Sequence, residues 1–384
     1  MVVPIFLSVV LIGTIYLIVR TKQLLKIKPL YIYLFYTLAI LLSLYSMLSA
    51  PMLFTVNPFM HILVVFFAYL LSFLLIFLLS LLVSDVLKLI FRLKRKTHLS
   101  ILISLTSLLF LYTTINAFCI REKETQIQLP HLTKEIKAVQ LSDIHLGHFR
   151  GENHLRKIVN KVNKLNPDII FITGDLVESH YNSDKQTLRP LKDLKAPIYF
   201  VDGNHDAQVG VEKLKNNLRE IGVRVLENEF VDTLGLRIIG LEYMKPDKQS
   251  IDPLSVKERN TIQSVISTIP ATDTLATIVL HHTPLGNEYI SKAGADLYLC
   301  GHTHGGQIFP LTLINDKNFV YNRGLYKKGR LQIYVSQGSG TFGIPLRLGT
   351  TSEITLLKLQ NKKAELLNPA FFNLCSEMGL IPYH

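Results

Sequence analysis

Five short blocks of the 384-residue chain carry carboxylate, imidazole and carboxamide side chains. Asp143 and His145 stand in SDIHLG, Asp175 in TGDLV, and Asn204, His205 and Asp206 in GNHD. His281 and His282 open HHTP, and His302 and His304 lie in GHTHGG. Each block follows an apolar run that reads as a strand, and in an α/β sheet ligands bind at the carboxyl ends of strands. One such block is an ordinary turn or helix cap; five in succession are hard to account for by packing. Asp143, Asp175 and Asp206 brought together would repel, and burial would raise their pKa values. Two divalent cations remove that cost. Carboxylates mixed with imidazoles suit Mn, Fe or Zn better than Ca. Gly174, Gly203 and Gly301 fit turns in which backbone and ligand approach closely. The three cysteines, Cys119, Cys300 and Cys375, follow no regular spacing, which excludes a disulfide framework and a CxxC metal site. Cys300 reads as core.

These residues need a scaffold, and the stretch 135–360 is long enough for one large core. Short β-rich runs recur at 136–141, 168–172, 197–201, 237–241, 277–280, 296–300 and 331–335. Leu155, Ile158, Val159, Val162 and Leu165 have helical spacing over 153–165, and 211–221 is similar, with Gly222 as its C-cap. Strands alternating with helices early, and clustering later, predict an α/β sandwich. The polar stretch 121–134, which contains Pro130, reads as a linker. Residues 361–384 read as a tail whose Phe371, Phe372 and Leu374 pack on the domain or on a bilayer. His131, His154, His180 and His384 read as surface residues.

The first third is of another kind. The chain is 48% hydrophobic and only 18% charged, with a mean hydropathy of +0.29, too apolar for an ordinary soluble enzyme. Residues 1–119 hold nine Lys and Arg and one acidic residue, Asp85. The net charge of +12 is therefore mostly theirs, and no nucleic-acid partner is expected, since such a binder carries its basic stripe on the folded domain. Between Lys28 and Asp85 lie 56 residues without a formal charge. One helix of that length would be roughly 80 Å, against a hydrocarbon core of ~30 Å. The stretch must therefore fold back, at Pro51, Asn57 and Pro58. Residues 1–120 thus read as an all-α membrane module with spans at about 2–19, 30–50, 59–83 and 97–120. Arg20, Lys22, Lys26 and Lys28 mark one loop, and Lys88, Arg92, Lys94, Arg95 and Lys96 another. The positive-inside rule puts both in the cytoplasm and the C-terminal part outside it. The expectation is a multi-pass protein of a bacterial cell membrane. The spans hold almost no ionisable residue that could line a polar path, which argues against a transporter, and Asp85 at a span end reads as interfacial.

The ordered blocks D-x-H, G-D, G-N-H-D, H-x-P and G-H-x-H resemble the calcineurin-like metallophosphoesterase superfamily, over roughly residues 135–358. The ending GSGTFGIPLRLGTTSEITLLKL resembles its membrane- or wall-associated bacterial branch. The resemblance implies an α-β-β-α sandwich with a two-metal centre. By motif position Asp143, His145 and His304 take one metal, and Asn204, His282 and His302 take the other. Asp175 bridges them. His282 is preferred to His281 because the family's histidine stands two before a proline, here Pro284. His205 corresponds to a non-ligand histidine that assists catalysis, with Asp206 beside it to orient a neighbour or cap a helix. His281, His148 and Asn322 are candidates for supporting the ligands or touching substrate. The implied reaction is hydrolysis of phosphate mono- or diesters by a hydroxide shared between the metals. A membrane tether favours lipid-linked or envelope substrates. Asp175 is followed by Leu-Val-Glu-Ser, which departs from the protein Ser/Thr phosphatase branch. The alternative is the same fold serving as a non-catalytic binding, scaffold or sensor module on a membrane anchor. Against that alternative, every ligand position is filled.

Overall fold

The structure, a computed structural model, describes residues 2–25, 28–49, 58–180, 184–250 and 260–361. The expected tail and the turn around Pro51 lie outside the described residues. Four helices come first: α1 (Val2–Leu25), α2 (Pro29–Ser49), α3 (Pro58–Phe91) and α4 (Arg95–Phe118). Among the described residues, α3 and α4 are the two long and apolar enough to cross a membrane, which narrows the expectation of four spans. α3 runs on past residue 83 because nothing in 84–91 breaks a helix and Asp85 is paired. Arg20 Nε lies 2.6 Å from Asp85 Oδ2, and His98 Nε2 lies 3.2 Å from Oδ1. Arg95 Nη2 donates to the Leu24 carbonyl at 2.7 Å. The end of α1, the C-terminal part of α3 and the start of α4 therefore meet, and the described basic residues of both loops collect at one end of the bundle.

The expected linker is not there. After Cys119 the chain enters a ten-residue strand, β1 (Ile120–Leu129), paired in parallel with β12 (Ser352–Asn361) along its whole length. β1 is an edge strand, so it keeps exposed charges such as Arg121 and Glu122 while burying Ile127 and Leu129. Its partner lies more than 200 residues away in sequence, and no local pattern announces the pairing. The sheet thus starts at residue 120, not 135.

The remaining strands are β2 (Ile136–Leu141), β3 (Ile169–Thr173), β4 (Ile198–Val201), β5 (Arg224–Val225), β6 (Glu229–Thr233), β7 (Leu236–Gly240), β8 (Ala276–Leu280), β9 (Leu297–Cys300), β10 (Gly324–Lys328) and β11 (Leu331–Val335). They form two six-stranded sheets, ordered β1-β12-β2-β3-β4-β5 and β10-β11-β9-β8-β7-β6. Ala138, Ile169 and Phe171 of one sheet meet Leu236, Ile278 and Leu299 of the other in a dry core. On the outer face of the first sheet, α5 (Glu152–Leu165) buries Leu155, Ile158, Val159 and Val162. His154, expected at the surface, is buried there too. Short helices at Ile262–Ile266 and Asn287–Lys292 cover the outer face of the second sheet. The result is the anticipated α-β-β-α sandwich.

Strand direction decides where the sandwich faces. β12 is antiparallel to β2, whereas β2, β3 and β4 are parallel to one another. β1 therefore runs against β2–β4. Ile120 pairs with Ser352, and Gln140 with Thr355. The residue where α4 enters the sheet is thus level with the carboxyl ends of β2–β4.

Candidate metal centre

Those carboxyl ends carry the chemistry. The loop after β2 is held to the loop after β3 by Asp143 N to Gly174 O at 3.0 Å, His145 N to Asp175 O at 3.1 Å and Leu146 N to Leu176 O at 2.9 Å. Asp143, His145, Asp175, His302 and His304 all have positive φ, between 49° and 70°. L-residues adopt this region at a cost, and such residues gather at functional sites. Gly301 and Gly203 allow the close approach that follows. A Cβ on Gly301 would collide with Ser142 Oγ and Asp143 Oδ2, and one on Gly203 with Asp175 Oδ1.

The predicted ligands converge in two neighbouring groups, which a third group of His145, Asp175 and His205 links. Asp143, His145 and His304 form one, with His145 Nε2 3.0 Å from His304 Nε2 and His304 Nε2 3.3 Å from Asp143 Oδ1. Asp175, His282 and His302 form the other, with His282 Nε2 3.0 Å from Asp175 Oδ2 and His302 Nδ1 3.2 Å from His282 Nε2. Asn204 Oδ1 lies 3.0 Å from His302 Nδ1, which adds it to the second group. Asp175 Oδ2 is also 3.8 Å from His145 Nε2, so this carboxylate stands between the groups. His205 sits beside them, its ring centroid 5.0 Å from that of His145.

The donor set fits a pair of cations. Burial holds His145 and His304 well below the usual imidazole range and lowers His302 to about 3, with the neighbouring His282 adding to the last. Neutral imidazoles keep the lone pair a metal needs. His282 Nδ1 faces the Thr173 carbonyl at 2.9 Å, which commits that nitrogen to a proton and leaves Nε2 for the cluster. Burial raises Asp143 to about 6. Burial opposes the charge on Asp175 as well, but His282, His205 and His145 outweigh it and hold that carboxyl low. Burial also opposes charge on His282, which Asp175 and Asp143 overcome, lifting it to about 10. Two buried carboxylates thus draw on one protonated ring for neutralisation, a role that bound cations would take over.

Other predicted residues fall in supporting places. Asp206 accepts from the amides of Gly203 and Val177, both at 2.9 Å. It ties the first turn of the helix Asn204–Val209 to the loop after β3, and burial followed by the charge of Asp175 pushes it up to about 8. Both of its oxygens are engaged with backbone, so the structure gives it a capping place in the site. His281 Nδ1 lies 3.1 Å from Tyr298 Oη, with its ring stacked on Tyr243. His148 is 3.0 Å from His61 of α3, Nδ1 to Nδ1, so it joins the sandwich to the helices. Asn322 is buried. It donates to Asp316 at 2.6 Å and accepts from Asn315 at 2.7 Å, while its carbonyl takes the hydroxyl of Thr303, between His302 and His304. It holds the ligand loop from behind.

The glycine-rich segment before β12, whose residues resemble the membrane- or wall-associated branch, packs on the other side of the site. The Gly340 amide donates to Asp143 O at 2.7 Å. Phe342 lies over His205, with ring centroids 5.3 Å apart. Arg347, fully buried, donates to the carbonyls of Gln337 and Gly340 at 2.6 and 2.7 Å, and its Nη2 is 3.3 Å from His304 Nδ1. A lone arginine in an apolar run (IPLRLG) is the signal in the sequence that points to it.

Residues 136–306 match the family described as calcineurin-like phosphoesterase. An uncharacterized metallophosphoesterase of Helicobacter pylori is 36% identical over 248 residues, 62% of this chain. The match spans 64% of that relative's length. An uncharacterized metallophosphoesterase of Bacillus subtilis is 30% identical, covering 61% of this chain and 82% of the relative. A transmembrane protein with metallophosphoesterase domain from Danio rerio is 30% identical, covering 69% of this chain and 63% of its own.

Proposed function

Because this chain belongs to the calcineurin-like metallophosphoesterases, we propose that it is a membrane-anchored phosphoesterase that hydrolyses phosphate mono- or diesters at a two-metal centre. The position of Asp175 carries the reading: its Oδ2 lies within 3.0 Å of His282 Nε2 and 3.8 Å of His145 Nε2, one from each ligand group. In this reading Asp143, His145 and His304 hold one divalent cation (Mn, Fe or Zn), Asn204, His282 and His302 hold the other, and Asp175 serves both. The bound pair supplies Lewis acidity toward phosphoryl oxygens and makes water a nucleophile at neutral pH.

The chain's own residues do the rest. His205 is fixed through its backbone amide, which donates to Asp175 Oδ1 at 2.9 Å. Its ring, on the side of Phe342, stabilises charge on the phosphoryl group or gives a proton to the leaving oxygen. Phe342 keeps water from that ring. Asp206 keeps the helix that bears Asn204 and His205 against the loop that bears Asp175. His282 Nδ1, held on Thr173, fixes the ring that faces Asp175.

The anchor is α3 and α4, with α1 and α2 beside them. The described basic residues of the loops gather at the end of the bundle away from the sandwich. The positive-inside rule then puts the catalytic part outside the cytoplasm of a bacterial cell.

The test is hydrolysis of p-nitrophenyl phosphate and its bis ester by the purified full chain, loaded in turn with Mn, Fe and Zn. Activity lost on chelation, restored by metal and abolished by Asp175→Asn supports the proposal. Activity indifferent to Asp175→Asn, or fewer than two bound ions, overturns it.

A further inference from the structure

The loops around the metal cluster lie lower against the helices than a domain on a stalk would. Lys94, Arg95 and Lys96 mark one end of α4. Leu109 is 14 residues from Arg95 in sequence, or about 21 Å along the helix, short of the ~30 Å hydrocarbon layer. Yet Leu109 and Phe110 already share one apolar cluster with Ile308, Ile344 and Leu346 of the sandwich and with Ala68 and Ile76 of α3. One turn further on, the Arg347 amide donates to Thr113 O at 3.1 Å. The direction of β1 agrees: it places the carboxyl ends of β2–β4 at the end of the sandwich where α4 enters.

The surface beside this contact is apolar. Phe309 follows the buried Ile308 and is exposed, as are Leu311, Leu313 and Ile314 on the helix Leu311–Asn318. Val320 is 83% and Phe342 51% exposed. The same surface borders the metal cluster. Phe342 lies over His205, Phe319 sits 6.0 Å from the His302 ring, and Asn315 donates to the Thr303 carbonyl at 3.1 Å. The helix also carries Asp316, Lys317 and Asn318, a mixture suited to the boundary between headgroups and acyl chains.

We propose that this rim is seated in the interfacial layer of the bilayer, and that the site takes phosphate esters of amphiphiles held in that leaflet, the ester entering sideways from the membrane. Continuity chooses the occupant, since the rim adjoins the cluster that Ile308, Ile344 and Leu346 form with α3 and α4. The inference rests on the phosphoesterase reading of the site and on α3 and α4 as spans.

The chain contains no tryptophan, so Leu313→Trp and His131→Trp each create a single reporter, the second just past β1 at the far end of the sheets. The full-length variants are placed in phosphatidylcholine vesicles with part of the lipid brominated on its acyl chains. The reporter at 313 should be quenched at least about threefold more strongly than the one at 131. Equal quenching overturns the immersion. In the second arm, manganese-loaded full chain is assayed on vesicles of phosphatidic acid in phosphatidylcholine, with cleavage of both lipids followed, and on p-nitrophenyl phosphate and its bis ester in water. The double change Leu313→Asp and Val320→Asp should lower the ratio of lipid to soluble turnover about tenfold or more. An unchanged ratio, or a wild type that cleaves the soluble ester alone, overturns the substrate class. A wild type that cleaves neither removes the phosphoesterase reading and the substrate class with it, while the quenching still decides the immersion.

Discussion

Asn116, in the last turn of α4, donates its side-chain amide to the backbone carbonyl of Arg347 at 3.1 Å. It donates to the Thr350 carbonyl as well, at 2.9 Å. The helix and the loop behind His304 are thereby one buried unit. Asn116→Ala leaves two buried carbonyls without that donor and should cost about 1–3 kcal/mol. The thermal midpoint in detergent reads it. A midpoint equal to wild type would mean that the junction adds nothing to stability.

Gly301 has no room for a methyl group, because Ser142 and Asp143 already occupy the space. Gly301→Ala should displace Asp143 and empty the Asp143–His145–His304 side of the centre. Metal analysis should then find about one ion fewer than the two expected of wild type, with turnover down about 100-fold or more. Full occupancy in this variant would show that the loop can yield.

His205 distinguishes two roles. It groups with His145 and Asp175 by distance alone, yet the proposed role is on the phosphoryl group or its leaving oxygen, not on a cation. His205→Asn should lower kcat about 10²–10⁴-fold while metal content stays at the wild-type level. Loss of an ion together with activity would make it a ligand.

His154 should shape acid stability. Burial, then the charges of Arg150 and Lys157, lower it to about 3 from an ordinary 6.5. The unfolded chain therefore binds a proton that the native state refuses. This stability is fully present above pH 6.5 and is lost as pH falls from there toward 3, with about 3 kcal/mol gone by pH 4.5. His154→Leu removes this proton linkage. Midpoints measured at pH 7.5 and 4.5 should fall further for wild type than for the variant; parallel falls would count against the assignment.

The reach of sequence reasoning is clearest at the two ends of the sheet. β2, β3, β4, β8 and β9 announce themselves as apolar runs followed by ligand residues, because a buried strand ending at a site leaves both marks locally. β1 leaves neither. Arg121, Glu122, Lys123 and Glu124 read as linker, and only pairing with β12 makes them a strand. Asp206 shows the same limit: GNHD offers it as a helix cap, but nothing local announces that it also accepts from the Val177 amide of a distant loop.

The sequence by itself determined which Asp, His and Asn residues are candidate ligands, where the apolar helices lie and which family the chain belongs to, because residue type and local spacing carry those. Tertiary structure alone decided that Asp175 stands between the two groups, that Arg347 and Phe342 pack beside His304 and His205, and that α4 enters at the end of the sandwich where the carboxyl ends of β2–β4 lie. Those facts depend on strand direction and on contacts between segments far apart in the chain. Such contacts are set by which surfaces bury one another, and no local stretch of residues encodes them.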